Sequence, residues 1–183
     1  MFSAPGRLCT DMDLLAFKQR ILPVQNRLFR LATMFLRNRE DAEDALQDVL
    51  MRLWTNRQQL ETYQSVEALA VQMTKNLCLD RLKAHARQKA VDQVDMGNVV
   101  AEQLSPHRQT ELADSVDLIR RLMNELPDAQ KLVLHLRDVE EYSFEEIEQV
   151  TGLSINTIRV TLSRARQRLR DGYLKLNDYE AEY

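Results

Sequence analysis

Apolar side chains return every three or four positions along almost the whole chain, and nowhere does a strict alternation of apolar and polar residues persist. That spacing predicts helices and no sheet. A first helix is expected from Met12 to Arg37, with Ile21, Leu28, Ala32 and Phe35 on one stripe and Pro23 kinking it. Asn38, followed by acids, marks the start of a second, in which Ala42, Leu46, Val49 and Leu53 recur. The stretch from Gln58 to Ser65 breaks the pattern and is expected to be a loop. A third helix, Val66 to Arg87, aligns Val66, Ala70, Met73 and Leu77. Three such helices make a minimal bundle.

From Ala90 to Thr110 the pattern lapses around a glycine and a Ser-Pro pair, which reads as a flexible linker. Periodicity then returns in four shorter pieces: ELADSVDLIRRLMNEL, PDAQKLVLHLRDV with Pro127 at its first helical position, SFEEIEQV, and SINTIRVTLSRARQRLRDGYLKL. The expected fold is therefore all-α. Two small helical bundles, residues 1–89 and 111–183, are joined by the linker 90–110, with no internal repeat.

The third and fourth of those pieces make a specific pattern. Ser143 and Glu146 form an S-x-x-E capping box, Ile147 and Val150 face inward, and Gly152 supplies a left-handed turn. Ser154 then caps a helix whose Ile158, Leu162, Ala165 and Leu169 recur at intervals of four, three and four, leaving Asn156, Thr157, Arg159, Val160, Ser163, Arg164 and Gln167 outward. This is the layout of a helix-turn-helix. Glu148 stands where a small residue usually lets the two helices cross, and a small rotation of the helix would turn it outward.

Charge adds to that picture. The thirteen residues DVEEYSFEEIEQV carry six acids and no base, whereas TGLSINTIRVTLSRARQRLR carries five arginines and no acid. A basic second helix suits a DNA major groove, with Arg159 and Arg164 placed to read base edges and Arg166, Arg168 and Arg170 to meet phosphate or solvent. Solvated faces joined by salt bridges would give the same charge step. The 183-residue chain has a net charge of only −3, so any nucleic-acid role rests on such patches. Cys9 and Cys78 match no ligand spacing, which points to neither a disulfide nor a zinc site and suits a reducing cytoplasm. No apolar run reaches transmembrane length, and MFSAPGRLCTDMDLL breaks with charge before a signal-peptide core could form, so no membrane insertion is expected.

The second predicted helix concentrates acids, and Asp41, Asp44 and Asp48 share one face. Carboxylates so spaced could hold a divalent cation, form a polar docking face, or be a solvated surface. No histidine or carbonyl-rich loop accompanies them, so neither a metal nor another cofactor is expected.

REDAEDALQDVLMRLW, then SVEALAVQMTKNLCLDRLKAHARQ, then ELPDAQKLVLHLRDVEEYSFEEIEQVTGLSINTIRVTLSRARQRLR resemble regions two and four of bacterial RNA polymerase sigma factors of the extracytoplasmic-function group. The resemblance spans most of Phe17 to Leu174. It implies a non-enzymatic transcription initiation factor that binds core RNA polymerase and promoter DNA, with an anti-sigma factor as a further partner. By that resemblance Asp44, Gln47, Asp48, Met51 and Trp54 form the polymerase-docking face. Tyr63, Lys75, Asn76, Arg81 and Lys83 are expected to recognise and melt the minus-ten element, Lys75, Arg81, Lys83, Arg87 and Lys89 giving a charge of +4 against Asp80. Ser154, Asn156, Thr157, Arg159, Val160, Ser163, Arg164 and Gln167 are expected on the minus-thirty-five element. The family often has a tryptophan where Leu69 stands. Two other readings stay in view: a helix-turn-helix repressor, which needs no docking face, and a serine recombinase, which needs strands that the pattern does not contain.

Overall fold

A computed structural model describes residues 13–92 and 111–181, and every regular element among them is helical. The chain divides into two compact units, Met1–Val91 and Asp92–Tyr183. Most of the expected linker, residues 93–110, lies outside the described residues, as do Cys9 and the rest of the first twelve.

The N-terminal unit opens with helix α1, Leu14–Leu36, capped by the Asp13 carboxylate, which accepts from the Ala16 N–H at 2.7 Å. Pro23 lies inside this helix, on its exposed side, and does not interrupt it. Arg37 takes the left-handed backbone (φ 58°) and ends the helix; Asn38 then caps helix α2, Arg39–Thr55, through the Glu40 N–H at 2.8 Å. The two helices pack closely. Phe17, Ile21, Val24, Leu28, Leu31, Ala32 and Phe35 are buried from α1, and Ala42, Ala45, Leu46, Val49 and Leu53 from α2. A fully buried leucine such as Leu28 contributes about 2–3 kcal/mol by leaving water.

The expected loop after α2 is instead largely a 3₁₀ helix, Arg57–Thr62. Its cause is Leu60, only 2% exposed, which needs a tight turn to reach the core. Helix α3 follows over Val66–Asp92, five residues longer than expected, and a second correction concerns its face. The buried residues are Ala70, Val71, Thr74 and Cys78, while Val66, Met73 and Leu77 are half-buried. Apolar residues surround the first half of α3, so spacing alone did not fix its inner side. The buried Thr74 hydroxyl is satisfied by donating to the Ala70 carbonyl at 2.8 Å.

The C-terminal unit contains α4, Glu111–Glu125; α5, Asp128–Leu134; α6, Phe144–Thr151; and α7, Ile155–Ala181. Pro127 is the N-cap of α5 rather than its first helical residue. The expected single helix after it changes to a π turn over His135–Val139, ending near Glu141, whose backbone is left-handed (φ 61°). The turn withdraws charge: Lys131, His135 and Glu140 are all buried, with His135 Nε2 3.4 Å from Glu140 Oε1. Helix α7 runs beyond Leu176 into the acidic tail. Gly172 lets α4 and α7 meet, because a β-carbon there would stand 2.6 Å from a Leu122 methyl. Helices α4, α5 and α6 all pack on α7.

Candidate functional site

The helix-turn-helix forms as the spacing predicts. Ser143 Oγ accepts from the Glu146 N–H at 3.1 Å while the Glu146 carboxylate accepts from the Ser143 N–H at 2.7 Å, completing the reciprocal cap of α6. Gly152 closes α6 in the left-handed region (φ 71°), its N–H donating to the Glu148 carbonyl at 2.8 Å, and the Glu148 side chain is exposed. Ser154 Oγ lies 2.9 Å from Thr157 Oγ1 and accepts a long bond, 3.4 Å, from the Thr157 N–H. Ile158, Leu162 and Ala165 are buried and Leu169 half-buried. Asn156, Thr157, Arg159, Val160, Ser163, Arg164 and Gln167 all lie on the exposed side, with Gln167 donating to Asp171 at 2.8 Å.

Four side chains on or near that face behave in ways the sequence did not disclose. Phe144, at the start of α6, has the Arg159 guanidinium 5.2 Å from its ring centre and that of Arg137 4.8 Å away. Cation–π attraction of this kind is worth about 0.5–1 kcal/mol at an exposed site and narrows where Arg159 can point. Arg137 is itself tied to the Tyr142 carbonyl at 2.6 Å. Arg166, expected to meet phosphate or solvent, is exposed and also makes a fork on Asp138, with Nη2–Oδ1 at 2.6 Å and Nε–Oδ2 at 3.0 Å. The hydrogen bond to Asp138 raises the arginine above its ordinary pKa. Phe144, Arg159, Arg166 and Arg170 line one shallow groove between α6 and α7.

In the N-terminal unit, α2 turns Asp44, Gln47 and Met51 to the surface, with Met51 68% exposed. Trp54 is half-buried: its ring meets Phe17 edge-on at 5.1 Å between centres, and the Arg57 guanidinium sits 4.4 Å from its own centre. It is therefore in large part a packing residue. Asp48 is joined to α3, its Oδ2 accepting from Arg81 Nη2 at 2.7 Å, while Arg81 Nη1 donates to the Asp41 carbonyl at 2.9 Å. No group of three or more metal-ligating side chains occurs among the described residues.

Along α3, Asn76 and Lys83 are exposed and Lys75 is half-buried. Tyr63, directly after the 3₁₀ helix, is 48% exposed and borders a shallow cleft with Arg20, Val24 and Ser65. It does not plug the bundle. Arg81 stands apart from these residues, because its guanidinium faces α2. Burial raises the Cys78 thiol to about 11, with the nearby Arg81 charge acting weakly the other way. The thiol is uncharged and withdrawn.

Residues 21–88 match the Sigma-70 region 2 family, and residues 117–169 match Sigma-70, region 4. ECF RNA polymerase sigma factor SigM of Mycobacterium tuberculosis is 31% identical over 167 residues, covering 88% of this chain and 80% of that protein. ECF RNA polymerase sigma factor SigE of Mycolicibacterium smegmatis is 29% identical, covering 86% of this chain; the chain spans 61% of that relative's length. Among solved structures, the sigma factor RpoE from Bartonella quintana, in complex with the anti-sigma factor NepR, superposes with a TM-score of 0.68 at 25% identity. That match covers 86% of this chain and 96% of the other.

Proposed function

The chain belongs to the extracytoplasmic-function (ECF) family of RNA polymerase sigma factors, and from that premise we propose how its two units divide promoter-directed initiation between them. As a member of that family it is a non-enzymatic initiation factor that binds core RNA polymerase and promoter DNA. No helix among the described residues is long and apolar enough to cross a membrane. Its place of action is the cytoplasm, where polymerase and promoter are.

The N-terminal unit, residues 1–89, docks the polymerase and opens the DNA. One observation carries this reading: α2 exposes Asp44, Gln47 and Met51 together, beside Asp48 and Trp54, on a helix whose opposite side is wholly buried. Core polymerase meets that face. Tyr63 offers an exposed ring on which an unstacked minus-ten base can lie, and Lys75, Asn76 and Lys83 meet the parted strand. The C-terminal unit, residues 111–183, holds the minus-thirty-five element. Asn156, Thr157, Arg159, Val160, Ser163, Arg164 and Gln167 face the major groove, and Ser154 chiefly holds the helix end. The stretch between Asp92 and Glu111 joins the units, so that each can grip its own promoter element. An anti-sigma factor is the regulatory partner, by analogy with the complex of the Bartonella quintana protein.

The test is run-off transcription with purified core polymerase and a promoter library. Asp44→Lys and Gln47→Ala are expected to weaken core binding with the fold retained. Each desolvated charge-assisted contact is worth about 1.5–3 kcal/mol and a rim contact much less. Parental core affinity in both variants would remove the docking assignment.

A further inference from the structure

Charge alone groups Arg81 with Lys75 and Lys83 as a DNA contact, but helix geometry does not. At 3.6 residues per turn, Arg81 lies roughly 140° around α3 from Asn76 and roughly 160° from Lys83. It lies instead only about 20° from Thr74 and about 60° from Cys78, so it extends the buried stripe. Exposure agrees: Thr74 and Cys78 are inaccessible, and the Arg81 side chain is 26% exposed. Its two end nitrogens are both used on α2, one on the Asp48 carboxylate at 2.7 Å and the other on the Asp41 carbonyl at 2.9 Å.

We infer that Arg81 is a positioning residue of the polymerase-docking face and not a DNA contact. The inference rests on the reading of α2 as that face. One planar guanidinium fixes α2 against α3 at two points, Asp41 and Asp48, and takes a single oxygen of Asp48. The carboxylate is thereby held in one orientation, and its second oxygen has lone pairs for a cation of the polymerase. A lysine has three donors on one nitrogen at the end of a flexible stem and no planar fork, so it would hold the two acceptors less rigidly than the guanidinium does.

The experiment measures equilibrium binding of the full chain to core polymerase, and of the resulting holoenzyme to a pre-melted bubble template. Variants are Arg81→Gln, Arg81→Lys, Asp48→Asn, the Arg81→Gln/Asp48→Asn double, and Asp44→Lys as control. Arg81→Gln should weaken core binding about tenfold, as expected for loss of one hydrogen bond to a charged group. Arg81→Lys should recover part of that loss. The double variant should bind core no more weakly than Asp48→Asn alone, and bubble affinity of assembled holoenzyme should stay within about twofold of the parent in every Arg81 variant. If Arg81→Gln melts early, Arg81→Lys decides on the same criteria. Parental core affinity with weakened bubble binding would overturn the inference, making Arg81 a DNA contact. Parental core affinity in Asp44→Lys as well would overturn the docking reading itself, and the inference with it.

Discussion

Each unit carries one arginine that charge counts among the nucleic-acid contacts and that the fold gives to an aspartate. In the N-terminal unit Arg81 meets Asp48 at 2.7 Å; in the C-terminal unit Arg166 meets Asp138 at 2.6 Å. Length does not distinguish the pairs, but surroundings do. The Arg81 side chain is 26% exposed, ends a buried stripe and also bonds the Asp41 backbone, whereas Arg166 is 54% exposed and bonds Asp138 alone. The first joins two helices and orders a face. The second is a bidentate pair at the surface that joins no further group, and it occupies a guanidinium that phosphate would otherwise engage. Burial around a charge, more than its sign, says what the charge is for.

The largest expected effects test whether the two units melt independently. Leu28→Ala and Ile158→Ala each delete a side chain with no exposure and should each cost about 2–5 kcal/mol. Leu28→Ala should lower the melting of the N-terminal unit alone, and Ile158→Ala that of the C-terminal unit alone, read by calorimetry. A single shared transition shifted by both would break the comparison.

A pH series sharpens the contrast in burial. The folded-state pKa of Cys78 is raised to about 11 from 9.0, so the fold favours the neutral thiol. Its contribution is fully present below pH 9 and is lost as the pH rises toward 11, by up to about 3 kcal/mol. Denaturant melts between pH 8 and 11 should therefore fall more steeply for the parent than for Cys78→Ser. Equal slopes would mean that the ground beneath Arg81 is wetter than the fold indicates.

On the C-terminal side, Gly152→Ala should cost about 1–2 kcal/mol, because the backbone is left-handed there and nothing lies within 4 Å of a new β-carbon. The loss is purely conformational, and chemical denaturation of the Gly152→Ala variant measures it. The smallest effects concern the arginines. Arg168→Ala should lower the salt dependence of upstream DNA binding by about one unit of slope, and Arg166→Ala by clearly less. Equal decrements from binding titrations at several salt concentrations would mean that Asp138 yields Arg166 to the DNA.

What the sequence disclosed follows from how local each feature is. Ser143 with Glu146, Gly152, and the spacing of Ile158, Leu162 and Ala165 lie within one or two helical turns of each other, so pattern and propensity locate the helix-turn-helix. The acidic face of α2 was legible for the same reason. The inner side of α3 was not, because Val66, Leu69, Val71, Met73 and Leu77 surround the helix while the residues with no exposure include the small Thr74 and Cys78. The Arg81–Asp48 and Arg166–Asp138 pairs, and the stacking of Arg159 on Phe144, join residues 33, 28 and 15 positions apart. No local rule reaches that far. The π turn at His135–Val139 likewise depends on burying Lys131, His135 and Glu140 together.

Geometry, not charge, assigns the arginines of the helix-turn-helix. The most direct test of this is promoter selection: reconstituted holoenzyme transcribes a library randomised in the upstream element, and the transcripts are sequenced for the parent, Arg159→Ala and Arg166→Ala. Arg159→Ala should erase preference at one base position, a loss of about 1–3 kcal/mol of discrimination, while Arg166→Ala keeps the parental preference. The reverse result, with preference unchanged in Arg159→Ala and lost in Arg166→Ala, would contradict the account.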